Sequence, residues 1–431
     1  MALSRTSPSA ATAPTGGRRS RAVVFLLCWL CLAADGYDLM VYGATLPGLI
    51  GQEPFHLTPG TGGRIASLAL LGMLVGSLVA GMMTDRLGRR KIFITGVAVF
   101  SLGMGLTALA PNLELFVAAR IFTCLGVGGL LPTAVALASE FSPAAGRSRR
   151  LGIVLTGPPT GMVLASLLAS QWMDSFGFRP VYGVAAVMVI MVPVLVVLLP
   201  ESPSFLAARG RVAEAEQVRQ AYQLPAPAAQ PGAAQGGGVA VLLARGQRSS
   251  TLLIWAATFF SLLTVFGITT WLPQVMNSSG YGLGSAILFL LVYCLGAAVG
   301  TVLAATIADR VGPKPLVLVG FVVAASALLA ISTRPSTPVL VVLVLLAGFG
   351  GLGTQNVLND FVARHYPTEA RASGLGWALG IGRIGAIVGP TYGAWVVSQS
   401  QPLVATAVGF AATALAGGVV TALLPSRGAT R

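Results

Sequence analysis

Twelve apolar stretches of about 20 residues follow one another along the chain, and they constrain its fold more than any other feature. A helix of about 20 residues spans the hydrocarbon core of a bilayer, and a backbone in lipid must satisfy its own hydrogen bonds. The sequence therefore predicts an all-α membrane protein with twelve transmembrane helices. The predicted spans are 22–48, 62–84, 92–110, 113–138, 151–172, 180–199, 251–275, 283–308, 316–333, 338–361, 373–398 and 403–424.

The placement of basic residues predicts the orientation of these helices. Twenty-two of the 27 Lys and Arg residues lie in the tails and the even-numbered loops, whereas the odd-numbered loops carry only Arg64, Arg179 and Arg334. Basic residues stay on the cytoplasmic side, so we expect both termini and the central loop to be cytoplasmic. The net charge of +14 is then a topology signal, and it does not indicate a protein that binds nucleic acid.

Composition divides the chain into two halves with flanking segments. Residues 1–20 are rich in Ser, Thr, Ala and Pro and are predicted to be a disordered cytoplasmic tail, not a signal peptide. Residues 21–200 and 251–425 are predicted six-helix halves, and 426–431 is a short cytoplasmic tail. The cytoplasmic loop 201–250 is charged at first and then rich in Pro and Gly, which favours a short surface helix followed by a flexible linker.

The two halves contain an internal repeat. The segment 85–88 (DRLG) recurs at 309–312 (DRVG), and Arg147 recurs as Arg371, both 224 residues later. Two loop signatures in one register indicate a parallel duplication of six helices.

Two acids in the first span are the most unusual residues for a membrane segment. A carboxylate near the bilayer centre costs about 2.5–3.5 kcal/mol, so such residues are usually functional. Asp35 and Asp38 are three residues apart and share one helix face. Arg120 on the fourth span lies at a similar depth, and pairing with one acid would leave the other free to accept a proton. We therefore predict a proton-coupling site of Asp35, Asp38 and Arg120, with a static ion pair as the alternative.

Arg383 is a second cation inside a span, roughly 18 Å along the helix from Arg371. No acid on its own helix can reach it. A guanidinium binds a carboxylate in bidentate fashion, so an anionic substrate is one expected partner. Asp35 or Asp38, across the two halves, is the other.

Charged residues at the cytoplasmic helix ends form a candidate gate. Such charges can join the halves when that side closes and separate when it opens. Positive-inside anchoring is the alternative, but it explains only the arginines and neither of the two aspartates. The predicted gating residues are Asp85, Arg86, Gly88, Arg89, Arg90, Arg147, Asp309, Arg310 and Arg371.

Several segments resemble a known family. GMMTDRLGRRK (81–91) resembles the signature between the second and third helices of the major facilitator superfamily, and ATIADRVGPKP (305–315) is an eroded second copy. DGYDLMVYGATLP (35–47) is similar to the first helix of the aromatic acid:proton symporters. GVGGLLPTAVALASEFSP (126–143), WLP (271–273) and YPTEARASGLGWALGIGRIGAIVGP (366–390) resemble the same family. The resemblance covers nearly the whole chain except the tails and the central linker.

This resemblance implies a transporter of the bacterial inner membrane that works as a monomer by alternating access. Its expected function is uptake of an aromatic monocarboxylate, such as benzoate or a hydroxybenzoate, together with a proton. The resemblance also favours Tyr42, Trp271 and Trp377 as residues that stack on the substrate ring. The alternative on the same fold is a symporter or exporter of another organic acid, shikimate-like or a dicarboxylate.

The sequence gives no sign of an enzyme or a metal protein. No nucleophile–base set is visible, and Cys28 and Cys31 form a CxxC without a second cysteine pair or a ligating histidine. His56 and His365 were both assigned to loops. We therefore expect no cofactor and no metal, with the substrate, protons and the lipid bilayer as partners.

Overall fold

A computed structural model of the chain describes residues 20–50, 55–143, 146–224, 242–243, 247–366 and 370–424. The predicted tails, except for Ser20, and most of the linker after residue 224 lie outside these residues. The described part contains eleven helices that are long and apolar enough to cross a membrane. A twelfth helix, Arg371–Val397, has the required length, but its glycines and Arg383 lower its hydropathy.

The twelve predicted spans are confirmed as helices, with boundaries within four residues of those expected. Two short helices, Pro203–Ala208 and Val212–Ala221, lie in the central loop where one was expected. The long helices are α1 Arg21–Leu49, α2 Pro59–Leu87, α3 Arg89–Leu109, α4 Leu113–Glu140, α5 Arg147–Val154 continued by Gly157–Phe176, α6 Phe178–Leu198, α7 Arg248–Ser278, α8 Leu283–Val311, α9 Pro313–Ile331, α10 Thr337–His365, α11 Arg371–Val397 and α12 Pro402–Ala422.

The internal repeat extends to the helix boundaries. Five helices of the second half begin 224 residues after their counterparts, namely Leu283 after Pro59, Pro313 after Arg89, Thr337 after Leu113, Arg371 after Arg147 and Pro402 after Phe178. The turns before α3 and α9 also match. Gly88 and Gly312 have φ of 92° and 80°, a left-handed region that glycine enters without strain.

Local sequence explains where these helices start. Pro59, Pro313 and Pro402 stand at the first helical position, where no intrahelical partner for an N–H is lost. The side chains of Thr58 and Asn112 accept hydrogen bonds from the first-turn amides of α2 and α4. The helix starts are therefore set by local sequence signals that do not depend on tertiary contacts.

Close helix crossings fix the depth of the buried charges. A Cβ at Gly36, between the two aspartates, would overlap the carbonyl of Pro158, so α1 and α5 touch backbone to backbone there. The equivalent pair, α7 and α11, meets where Gly385 faces the carbonyl of Phe259. Because Gly385 is two residues from Arg383, both pairs hold their charged residues on rigid, closely packed helices.

The two halves touch at one end and separate at the other. We call the end that carries Arg21, Gly88 and Gly312 the basic end, and the opposite one the far end. Toward the far end, Ser67 of α2 and Thr391 of α11 share a hydrogen bond of 2.7 Å. Toward the basic end, Gly376 and Gly380 share the helix face of Arg383, and a Cβ on either would meet nothing within 4 Å. The cleft between the halves therefore opens toward the basic end.

Candidate functional site

Asp38 and Arg120 form a buried ion pair. Arg120 Nη1 lies 2.6 Å from Asp38 Oδ1, and the two side chains are only 3% and 2% exposed. The thiol of Cys124, one turn after Arg120, donates to Asp38 Oδ2 at 3.2 Å. Both oxygens of Asp38 therefore have a partner, which is the condition under which a charge is tolerated away from water.

Aromatic rings surround the guanidinium of this pair. Its carbon lies 5.5 Å from the centre of the Tyr182 ring and 6.0 Å from that of Tyr42, within the range of cation–π attraction. Tyr42 donates its hydroxyl to the carbonyl of Gly62 at 2.8 Å. The hydroxyl of Tyr182 and that of Thr45 are 3.0 Å apart and bonded. The rings are thereby held in place, and they fix the position of Arg120.

Asp35 is buried but has no such partner. The residue is 2% exposed, and its Oδ1 makes no hydrogen bond. The charged or titratable groups that act on it are Asp38, Cys124 and, from the other half, Arg383. A buried carboxyl without a bonded partner is far cheaper as the neutral acid than as the anion.

Arg383, in the second half, is a charged residue of opposite sign that likewise makes no ion pair within the described part of the chain. Its Nη1 lies 3.2 Å from the sulfur of Met73 on α2, a weak neutral acceptor. Among the described residues, no acid lies within the 4.0 Å of an ion pair from it. A guanidinium held mainly by a thioether keeps most of its donors available for an anion.

A small cavity of about 30 Å³ lies beside the ion pair, between the two halves. That volume holds about one water, so a larger ligand requires the halves to move. Polar groups of α1 and α4 face apolar side chains of α2 across it, and α7 adds one aromatic ring and one hydroxyl. Its lining includes Asp38, Tyr42, Met73, Arg120, Cys124, Phe266 and Thr270.

The three predicted ring-stacking residues are not brought together. Tyr42 lines the cavity with Asp38 and Arg120. Trp271 is fully buried and donates its indole N–H to the carbonyl of Pro390 at 2.8 Å, outside the cavity lining. Trp377 is 43% exposed and packs against Trp255 with ring centres 5.9 Å apart. Trp271 and Trp377 therefore connect α7 to α11 on either side of Arg383 along α11.

The predicted gating residues around the α2–α3 turn contact their own half. Arg89 forms an ion pair with Glu140, and the backbone N–H of Arg90 donates to Glu201 at 3.1 Å. The carbonyls of Asp85 and Arg86 accept hydrogen bonds from Arg209 of the central loop. Gly88 leaves room there for the carboxylate of Glu201.

The remaining gating residues lie at the same end of the molecule. Arg147, Arg310 and Arg371 are exposed, and the side chain of Asp309 lies outside the described part. No contact in the described ranges joins the predicted gating residues of one half to those of the other. This agrees with a cleft that is open at the basic end.

Sequence reasoning missed several partners that the structure reveals. Cys124 looks like an ordinary residue of an apolar span, although its position four residues after Arg120 places both on one helix face. Met73 carries no signal in the sequence, since a thioether in an apolar span is ordinary. Glu140 and Glu201 stand at a helix end and in a loop, where charges are ordinary, and only the fold brings them to Arg89 and Arg90.

Known proteins resemble this chain over most of its length. The family model described as Major Facilitator Superfamily matches residues 28–390 and 254–430. The gentisate transporter of Corynebacterium glutamicum is 35% identical over 87% of this chain and 80% of its own length. The benzoate transport protein of Acinetobacter baylyi is 30% identical over 88% of this chain and 84% of its own.

Solved structures share the fold. The xylose transporter XylE from E. coli, in a partially occluded inward open conformation, superposes with a TM-score of 0.72 at 17% identity. The match covers 94% of this chain and 99% of that one. At this identity the likeness concerns the twelve-helix architecture alone.

Proposed function

The chain belongs to the major facilitator superfamily, and we propose that it takes up an aromatic monocarboxylate together with a proton. Like its relatives, it is a multi-pass membrane transporter and not an enzyme. We also propose that it acts as a monomer and lies in a bacterial inner membrane with both termini in the cytoplasm. The observation that carries the proposal is a pair of opposite charges, the buried Asp35 and the half-buried Arg383, neither of which has an ionic partner within bonding distance among the described residues.

An aromatic monoacid fits the groups around the cleft. Arg383 offers a fork of N–H donors that matches one carboxylate. Tyr42 and Phe266 offer ring faces, and Met73 offers an apolar contact at the same cavity. The relatives named for gentisate and benzoate carry acids of this kind. Benzoate and its hydroxylated derivatives are therefore the substrates to test first.

Competition for Arg383 would couple the proton to the substrate. An ionised Asp35 attracts the guanidinium of Arg383 across the halves. Protonation of Asp35 removes that attraction and leaves the guanidinium to the carboxylate of the substrate. Asp38 cannot play this part as readily, because Arg120 and Cys124 already occupy both of its oxygens. The proton and the anion would then bind best together.

The coupling also has an energetic purpose. Moving one negative charge into a negative interior costs about 2.3 kcal/mol for each 100 mV of membrane potential. A proton that travels with a monoanion cancels this cost. Alternating access would complete the cycle, with the Ser67–Thr391 side of the cleft opening when the basic end closes.

Uptake into proteoliposomes tests the proposal directly. Labelled benzoate should accumulate when an inward-directed pH gradient is imposed, and an uncoupler should abolish the accumulation. Shikimate and a dicarboxylate serve as competitors. Competition by shikimate or the dicarboxylate without competition by hydroxybenzoates would show that the substrate is another organic acid. Accumulation without a pH gradient would contradict proton coupling.

A further inference from the structure

A second cavity lies at the far end of the C-terminal half, remote from the Asp38–Arg120 pair. Its outer part has a volume of about 120 Å³ and is lined by Tyr281, Arg334 and Leu340 among others. An apolar inner part of about 20 Å³ reaches Thr406 and shares Met276, Ile331 and Leu403 with the outer part. A cavity of about 150 Å³ is large enough to bind benzene, so the two parts together have room for a single aromatic ring. We call them the outer slot.

The repeat explains why this space is empty in one half and filled in the other. Leu340 and Thr406 of the outer slot stand 224 residues after Phe116 and Tyr182, on helices that begin in the same register. In the N-terminal half these two rings pack edge to face with their centres 5.8 Å apart. Phe178 adds a third ring, 5.8 Å from Phe116. The smaller side chains of the second half leave a ring-sized gap in an otherwise duplicated core.

A polar group at the inner part of the slot has no partner. Thr406 is 8% exposed, and its Oγ1 makes no hydrogen bond. The hydroxyl of its counterpart, Tyr182, is bonded to Thr45 instead. Leaving a buried hydroxyl unpaired costs about 1–3 kcal/mol, so a ligand with a polar substituent would find an acceptor or donor there.

A cation stands at the mouth. Arg334 is exposed, and within the described ranges no acid lies in ion-pair distance of it. Its φ of 53° is left-handed, which costs a non-glycine residue roughly 1–2 kcal/mol. In the first half the cation at this level is Arg179, which lies over the Phe178 ring at 5.5 Å and donates to the carbonyls of Ala108 and Ala110. Among the described residues, no ring stacks on the guanidinium of Arg334 and no carbonyl accepts a hydrogen bond from it.

We propose that the outer slot binds a second molecule of an aromatic monocarboxylate. The ring occupies the space that Phe116 and Tyr182 fill in the first half, and the carboxylate bonds to the guanidinium of Arg334. The choice of this ligand class rests on the proposed function. Because the slot lies at the end where the halves are closed, it holds an acid molecule on that side while the cleft faces the other way.

Binding stoichiometry on the purified full-length protein tests the proposal. Equilibrium dialysis with radiolabelled benzoate should give two equivalents for the wild type. Arg334→Gln should weaken one of them about tenfold or more, the usual worth of a charged hydrogen bond. Leu340→Phe and Thr406→Tyr, which restore the side chains of the first half, should remove the same equivalent. Arg64→Gln, at the far end of the other half, is the matched control and should change nothing.

Arg383→Ala distinguishes the proposed central site, at Arg383, from the outer slot. This variant should retain only the equivalent of benzoate whose binding depends on Arg334. A single equivalent in the wild type, lost in Arg383→Ala and unchanged in Arg334→Gln, would overturn the outer slot and leave the proposed function standing. Failure of every benzoate-class acid to bind would overturn both. Arg334→Gln decides the matter even if the two filling variants fold poorly, because Arg334 is exposed.

Discussion

One guanidinium nitrogen of Arg383 on α11 lies 3.2 Å from the sulfur of Met73 on α2, so the half-buried cation of one half is held by a neutral side chain of the other. Asp35, the acid of that half whose charge acts on Arg383, makes no ion pair with it. A thioether is a weak acceptor that yields its place to a carboxylate at little cost. The contact is therefore what we expect at the proposed substrate site, where a carboxylate would displace the thioether.

Arg383→Ala should abolish binding of benzoate-like anions, a loss of about 2–5 kcal/mol for one partner of a desolvated pair. Arg383→Lys should also bind weakly, because it keeps the charge but loses the planar fork. The melting temperature without ligand should stay near that of the wild type, since no acid depends on this residue. Equilibrium binding and thermal unfolding check both points, with Met73→Leu as the control for lost packing. A large drop in apo stability, rescued by Asp35→Asn, would reassign Arg383 to a structural pair.

Asp35→Asn should uncouple transport from the proton. The amide keeps the size of the carboxyl but does not titrate, and the Asp38–Arg120 pair is untouched. We expect uptake driven by a pH gradient to vanish while exchange of labelled for unlabelled substrate persists. Full gradient-driven uptake in this variant would remove Asp35 from the coupling step.

Asp38→Asn should act on stability before it acts on coupling. The change leaves the guanidinium of Arg120 buried without its carboxylate, which costs about 3–5 kcal/mol. Thermal unfolding in detergent should show a clear drop that Asp35→Asn does not show. Equal melting temperatures for the two variants would contradict the difference in their surroundings.

Asp85→Ala should slow transport while equilibrium substrate affinity stays within a few-fold. Its position at the open basic end, remote from the cavity lining, makes it a candidate for closing that end and not for binding. Glu216→Ala, an exposed acid of the central loop, is the control. Turnover in proteoliposomes and binding to purified protein are the measurements. Normal turnover with weakened binding would place Asp85 in the substrate site.

Gly88→Ala and Gly312→Ala separate backbone strain from crowding. Both glycines combine a positive φ with ψ of 155° and 159°, a region essentially restricted to glycine, so alanine should cost each on the order of 1–3 kcal/mol. A Cβ at Gly88 would also overlap the carboxylate of Glu201, whereas a Cβ at Gly312 would meet nothing within 4 Å. We therefore expect Gly88→Ala to lower the melting temperature more than its partner does. Equal losses would mean that Glu201 moves aside freely.

The sequence was sufficient for the helical frame but not for the pairing of its charges. Apolar length and the Pro, Thr and Asn residues at helix starts are local signals, so the spans and the 224-residue repeat could be predicted. Helix depth also placed Asp35, Asp38 and Arg120 near one another. Which acid takes the arginine depends on the close α1–α5 crossing at Gly36 and on the thiol of Cys124, and neither can be read from spacing.

The aromatic residues show the same limit. Tyr42, Trp271 and Trp377 were grouped by resemblance, yet each has a different neighbour in the fold. Burial of Trp271 and exposure of Trp377 follow from how α7 and α11 lie in a cleft that opens toward one end. A single sequence does not specify that opening, because a transporter must adopt more than one.

The duplicated frame carries charges that were not duplicated. The positions 224 residues after Asp35, Asp38 and Arg120 are Phe259, Leu262 and Val344, and the position 224 residues before Arg383 is Pro159. The acids proposed to take the proton, Asp35 and Asp38, thus lie in the first six helices, whereas the later six contribute Arg383 to the proposed substrate site. With the proposed functions separated in this way, mutations in the second half would alter ligand preference while proton coupling is retained. One ancestral transporter would thereby diversify into carriers of many different acids.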